Sequence, residues 1–154
     1  MPTEIEQIED LIITDVKRKA ERVTSGVVYP VIGIDDCETW SGDDIQDMLR
    51  EINSETAVRV IYAGSKQGEL KVIGGGASHD ETARFRLALV VTNLRSRGEG
   101  ARGGYVYIEA MKQCFARFML TPLRGYLKNT EDNLLLVEGG KHVYGFELER
   151  SIGK

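Results

Sequence analysis

"NLLLVEGGKHVYGFELER", residues 133–150, decides the fold class. Two runs of strand-favouring residues flank Gly139-Gly140, and such a two-residue glycine connection is a good signal for a tight β-hairpin. A hairpin here makes the neighbouring strands antiparallel. Upstream, "TARFRLALVVTNL" (82–94) alternates along its length. Ala83, Phe85, Leu87, Leu89 and Val91 share one face; Thr82, Arg84, Arg86, Ala88 and Val90 share the other. "TAVRVIYAG" (56–64) is largely apolar on both faces and is predicted to be a central strand. Between these two strands, "ELKVIG" supplies half of a further hairpin.

Helices intersperse these strands. Ile5, Ile8, Ile12, Val16, Ala20 and Val23 recur at three- and four-residue steps, with Thr3 as the expected N-cap and Gly26 as the expected stop. A second, short helix carries Ile45, Met48, Leu49 and Ile52, with Ser41 expected to cap it. Tyr105, Ile108, Met111, Phe115 and Phe118 predict a buried helix over 104–119, ended by Thr121-Pro122. Pro30 demotes "VVYPVIGI" (27–34) to an edge strand or extended loop, and "DDCETWSGDD" is expected to be a loop. The order predicts one α+β domain over residues 1–154. Its mainly antiparallel sheet has four to five strands, with two or three helices packed on one face.

Charge and composition narrow the function classes. Residues 1–60 carry six Lys/Arg and fourteen Asp/Glu, a balance of −8; residues 61–154 carry fourteen and ten, a balance of +4. A chain acidic overall lacks the dominant basic field of a duplex-DNA binder, while the split suits contacts between copies of the same chain. No apolar run approaches the roughly 18 residues of a membrane span, and the acidic start does not read as a secretory signal. Cys37 and Cys114 are read as two reduced thiols.

No catalytic constellation emerges. His79 and His142 have no nucleophile at a suggestive spacing, and two His and two Cys spread over the chain make a poor metal set. The acidic pairs Asp35-Asp36, Asp43-Asp44, Asp80-Glu81 and Glu131-Asp132 are read as turn and helix-start caps. "NLRSRGEGARGGY" (93–105) follows a strand and precedes a helix, a topology that suits an anion at a helix N-terminus. It lacks the GxGxxG spacing and the Lys-Ser/Thr of a P-loop. Its arginines and glycines are expected to serve contacts between proteins. The alternative is a nucleic-acid-binding accessory role for the Arg/Gly-rich loop 93–104. The chain is expected to need no cofactor and not to be an enzyme.

Taken together, "FRLALVVTNLRSR", the glycine-rich gap, "GGYVYIEAMKQCF", "MLTPLRGY" and the terminal "YGFELE" resemble the phage Mu-type tail protein family. "IEQIEDLIITDVK" and "AVRVIYAG" resemble that family's start and first core strand. The resemblance covers most of residues 4–149 and departs from the family in residues 27–42; Thr56 stands where the family pattern has a proline. It implies a fold similar to the lambda-type tail terminator, and a ring subunit, commonly of a hexamer, that caps the tail tube. The partners implied are further copies, the tail tube protein and a head-completion or connector protein, with DNA only passing through the ring. Location in the virion tail, and in the bacterial host cytoplasm during assembly, follows from the same resemblance. Matching of the loop and helix start nominates Asn93, Arg95, Arg97, Arg102, Gly103 and Gly104 for subunit or tube contacts, with Arg84 and Arg86 on the preceding strand.

Overall fold

The computed structural model describes residues 3–42, 44–67, 71–73, 76–78, 81–92 and 103–151. Its helices are α1 (Glu4–Lys17), α2 (Ile45–Glu51) and α3 (Gly104–Phe115). The strands are β1 (Arg22–Thr24), β2 (Val27–Tyr29), β3 (Cys37–Thr39), β4 (Thr56–Gln67) and β5 (Lys71–Ile73). They continue with β6 (Gly76–Ser78), β7 (Glu81–Val91), β8 (Phe118–Met119), β9 (Tyr126–Glu138) and β10 (Lys141–Ser151).

Six strands form the main sheet in the order β3-β4-β7-β10-β9-β8, while β1-β2 and β5-β6 are separate two-stranded ribbons. Every pairing in the main sheet is antiparallel except β3 with β4, which is parallel. The α+β class and the mainly antiparallel sheet therefore hold. The sheet has six strands rather than four to five because β3 and β8 add short edges of three and two residues. Strands this short carry too few residues to show a period of two.

Side-chain alternation builds two cores. On one face Val58, Val60, Phe85, Leu87, Leu89, Val91, Phe146 and Leu148 pack with Ile8, Ile12 and Val16 of α1 and Ile108, Met111 and Phe115 of α3. On the other, Ala57, Ala88, Val90 and Val143 pack with Met48 and Leu49 of α2 and with Ile52 just after it. The helices are thus divided between the faces, which corrects the expectation that all pack on one. Small residues explain the second layer: Ala57 and Ala88 leave room for a two-turn helix to approach the strands. Lys141 Nζ donates to the Ile52 carbonyl at 2.7 Å and ties the end of α2 to β10.

Several boundaries move for local reasons. α1 opens on the Thr3–Glu6 capping box but ends at Lys17, not near Gly26, because Arg18 leaves helical geometry (φ −58°, ψ 132°). Ser25 and Gly26 instead hold positive φ of 52° and 79° and turn the β1-β2 hairpin. Helix α2 is capped by Asp44, which accepts from the Gln46 amide at 2.8 Å, rather than by Ser41. Helix α3 starts as expected but stops at Phe115, and Phe118 enters β8. The decisive hairpin forms as read, with Gly139 and Gly140 at φ 59° and 78°.

Candidate functional site

The second face of the sheet carries the most suggestive surface. Between α2 and the ends of β4 and β7 lies a groove of about 230 Å³ lined by Trp40, Ile45, Met48, Ile61, Ala63 and Arg86. Trp40 follows β3 directly and its amide donates to the Val60 carbonyl at 2.9 Å, which fixes the indole beside the sheet. The ring lies over Gly42, where a Cβ would stand 2.8 Å from it. Trp, Met and Arg are the residue types enriched at the cores and hot spots of protein interfaces.

Arg86 closes one side of the groove. It faces Glu147 across the β7-β10 ladder, and Nε donates to Oε1 at 2.6 Å. Its side chain is 38% exposed, so one edge of the guanidinium borders solvent and the other meets a carboxylate. Arg84 lies two residues back on the same face and extends Nη2 to the Ala63 carbonyl at 3.5 Å. Of the two arginines, Arg86 lines the groove, and Arg84 reaches the backbone of Ala63, which also lines it.

An ion pair with a buried arginine and a half-buried aspartate braces the segment that leads to Trp40. Arg59, 4% exposed, donates through Nη1 to Asp36 Oδ1 at 2.8 Å and approaches Glu38 at 3.5 Å. Asp36 also accepts from Ser54 Oγ at 2.6 Å. Burial works against the Asp36 charge, but the Ser54 and Arg59 hydrogen bonds and the Arg59 charge outweigh it and hold its pKa below the ordinary value. This acid is an ion-pair partner, not the cap expected of it. Asp132, in the middle of β9 rather than at a turn, also corrects that reading. It accepts from Tyr144 Oη at 2.5 Å and Asn129 Nδ2 at 3.1 Å.

On the opposite face, the β1-β2 hairpin presents Val23, Val27 and Val28 at 66%, 51% and 54% exposure. Its base is firmly held. The Arg22 guanidinium lies 4.1 Å above the Tyr29 ring and Nε meets Asp15 at 3.2 Å. Arg18 Nη2 and Cys114 Sγ both donate to the Pro30 carbonyl, at 2.9 and 3.3 Å. Burial pushes the Cys114 thiol up to about 11 and the Cys37 thiol up to about 12. Both stay protonated and are poor nucleophiles.

Gly103 is the N-cap of α3 and Gly104 its buried first residue, with no side chain to cap the helix. Asn93, Arg95, Arg97 and Arg102 lie outside the described residues, as do His79, Asp43 and Asp80. His142 sits on β10 opposite Val91 and Val137, half-buried, with its Nδ1 shielded from solvent. Among the described residues, no three His, Cys, Asp or Glu side chains gather as a metal set. No helix among them is long and apolar enough to cross a membrane.

Sequence reasoning missed both the groove and the hairpin valines. The Ser25-Gly26 dipeptide between "RVT" and "VVY" was a legible hairpin signal. For the groove the only hint was a single tryptophan in a polar stretch. No family model matches the chain, and no curated protein sequence matches it.

Proposed function

We propose that this chain is a structural, non-enzymatic subunit of a phage or prophage tail: a tail-terminator or tail-completion protein. In this reading it assembles as a ring, commonly a hexamer, caps the tail tube and contributes to joining the head. The sequence resemblance, which covers most of residues 4–149, supports that family. The observation that carries the assembly role is a set of large apolar side chains left outside a well-filled interior. Helices pack on both faces of the sheet, yet Val23, Val27 and Val28 of the hairpin still meet solvent, as do Tyr105 and Val106 of α3 and Leu134 and Val137 of β9. Surplus apolar surface of this kind marks contacts with other proteins.

The test is the solution mass over a range of concentrations, with and without purified contractile-phage tail tubes. The expected result is a species at a multiple of 17.2 kDa that co-sediments with tube ends. A chain that stays at 17.2 kDa and ignores tubes at every concentration would overturn the reading.

A further inference from the structure

We infer that two copies of the chain pair through α3, whose exposed side is complementary to itself when a second copy runs antiparallel across it. The contact goes beyond the tail reading: it belongs to the free protein and stands whether or not a ring forms.

Helix α3 buries Ile108, Ala110, Met111, Cys114 and Phe115. Tyr105, Glu109 and Lys112 are exposed, as is Ala116 at the C-cap. These four follow steps of four, three and four residues, so they lie in one line along the helix. That spacing is the same read in either direction. Across a two-fold axis between Glu109 and Lys112, an antiparallel second α3 sets Glu109 of each copy against Lys112 of the other. The same axis sets Tyr105 of each copy, 53% exposed, against the small Ala116 of the other. A parallel pairing would face Glu109 with Glu109 and Lys112 with Lys112, so charge selects the antiparallel one.

Neither charge is neutralised inside the chain. Among the described residues, Glu109 and Lys112 take part in no ion pair. Lys112 acts on Asp132 only through space, behind the hydrogen bonds from Tyr144 and Asn129. Glu109 acts on Tyr144 in the same distant way, behind burial and the Asp132 hydrogen bond.

Apolar surface flanks the charged centre. Gln113, exposed on α3, shares a shallow hollow of about 470 Å³ with Val28, Pro30, Val31 and Glu21. Val106, 42% exposed, stands seven residues before Gln113 and therefore on the same side of the helix. The two-fold that joins Glu109 to Lys112 carries Val106 of each copy to the C-terminal half of the other α3, beside that hollow and the exposed Val28. Cys114 holds the hairpin to α3 through the Pro30 carbonyl, so the hollow is formed before a partner arrives. A contact of this kind uses the same patch on both copies and closes at two.

The test uses the full chain with two surface variants, Glu109→Lys and Lys112→Glu, each of which leaves the stripe with a single sign of charge. A native circular dichroism spectrum shows each to be folded. In sedimentation equilibrium at about 0.1 M salt, without tubes, the natural sequence is expected to form a species of twice 17.2 kDa. Each variant alone is expected to self-associate roughly tenfold or more weakly. Mixed in equal amounts, the two variants should pair with each other, and the double variant carrying both changes should pair as the natural sequence does. At about 1 M salt, where screening is about 3 Å, the repulsion fades and each single variant should regain self-association.

A natural chain that stays at 17.2 kDa at every concentration, single variants that pair as well as the natural chain, or a mixture that stays monomeric would each overturn the α3 contact. None of these outcomes touches the tail reading, which stands or falls on binding to tube ends.

Discussion

At the residue scale, the Arg59–Asp36 pair is the group most sensitive to change. A buried guanidinium is tolerable only while its counter-charge and hydrogen bonds remain. Asp36→Ala strips Arg59 of its 2.8 Å partner and leaves Glu38, which is 70% exposed, as a weak substitute. The expected cost is about 3 kcal/mol in urea unfolding, at the lower end of the range for a broken buried pair. Asp47→Ala, which breaks an exposed pair with Arg50, should cost about 0.5 kcal/mol or less. Equal costs for the two would mean that burial does not set the strength of the Arg59 pair.

The titrating groups give the pH window. Asp36 and Asp132 have folded pKa values below the ordinary 3.8, so their stabilisation is present above that value. It is lost as pH falls through the lower, folded value. Tyr144 runs the other way. Burial and its hydrogen bond to Asp132 push it from 10 to about 12, so its contribution is complete below pH 10 and is lost on the way to about 12. The buried Cys37 and Cys114 thiols, raised from 9 to about 12 and about 11, add to the alkaline loss from lower pH. Urea midpoints should therefore be level from about pH 5 to about pH 8 and fall on both sides. Tyr144→Phe should make the alkaline limb shallower and leave the acid limb in place.

At the element scale, length decided what the sequence revealed. Strands β7, β9 and β10 run for eleven to thirteen residues, long enough for alternation or a flanking Gly-Gly turn to declare them. Strands β3 and β8 are held by tertiary pairing to β4 and β9, which local sequence does not record. The side of the sheet taken by α2 was equally hidden. Ala57, Ala88 and Val90 were visible as an apolar face, but nothing local says which helix covers it. Arg84 and Arg86 were legible as one face, whereas Trp40 reaches them only through the parallel β3-β4 pairing. That dependence is testable at Gly42. A Cβ there would stand 2.8 Å from the Trp40 ring, and the indole must give way. Gly42→Ala should red-shift Trp40 emission by exposing the ring, with a stability change within about 1 kcal/mol because the groove lies at the surface. An unchanged spectrum would mean that Trp40 does not rest on Gly42.

At the scale of the whole molecule, the charge split along the chain is partly met within the fold. The −8 and +4 balances of the two parts of the sequence were legible from the start, but their meaning depends on where the fold puts them. Lys19 meets Asp35 at 2.7 Å, Arg18 and Arg22 share Asp15, and Arg59 meets Asp36, so these charges of the acidic part are paired with one another. Val23, Val27 and Val28 on the β1-β2 hairpin, in contrast, stay in solvent and offer apolar surface to another copy. If the hairpin makes such a contact, Val28→Asp should lower the solution mass at a given concentration while circular dichroism and melting stay unchanged, because Val28 lies outside the core. Burial of valines does not depend on charge steering. Raising salt from 0.1 M to 1 M shortens screening from about 10 Å to about 3 Å and should therefore leave assembly of the natural sequence intact. Association that survives Val28→Asp, or that collapses with added salt, would mean that the hairpin valines do not drive it.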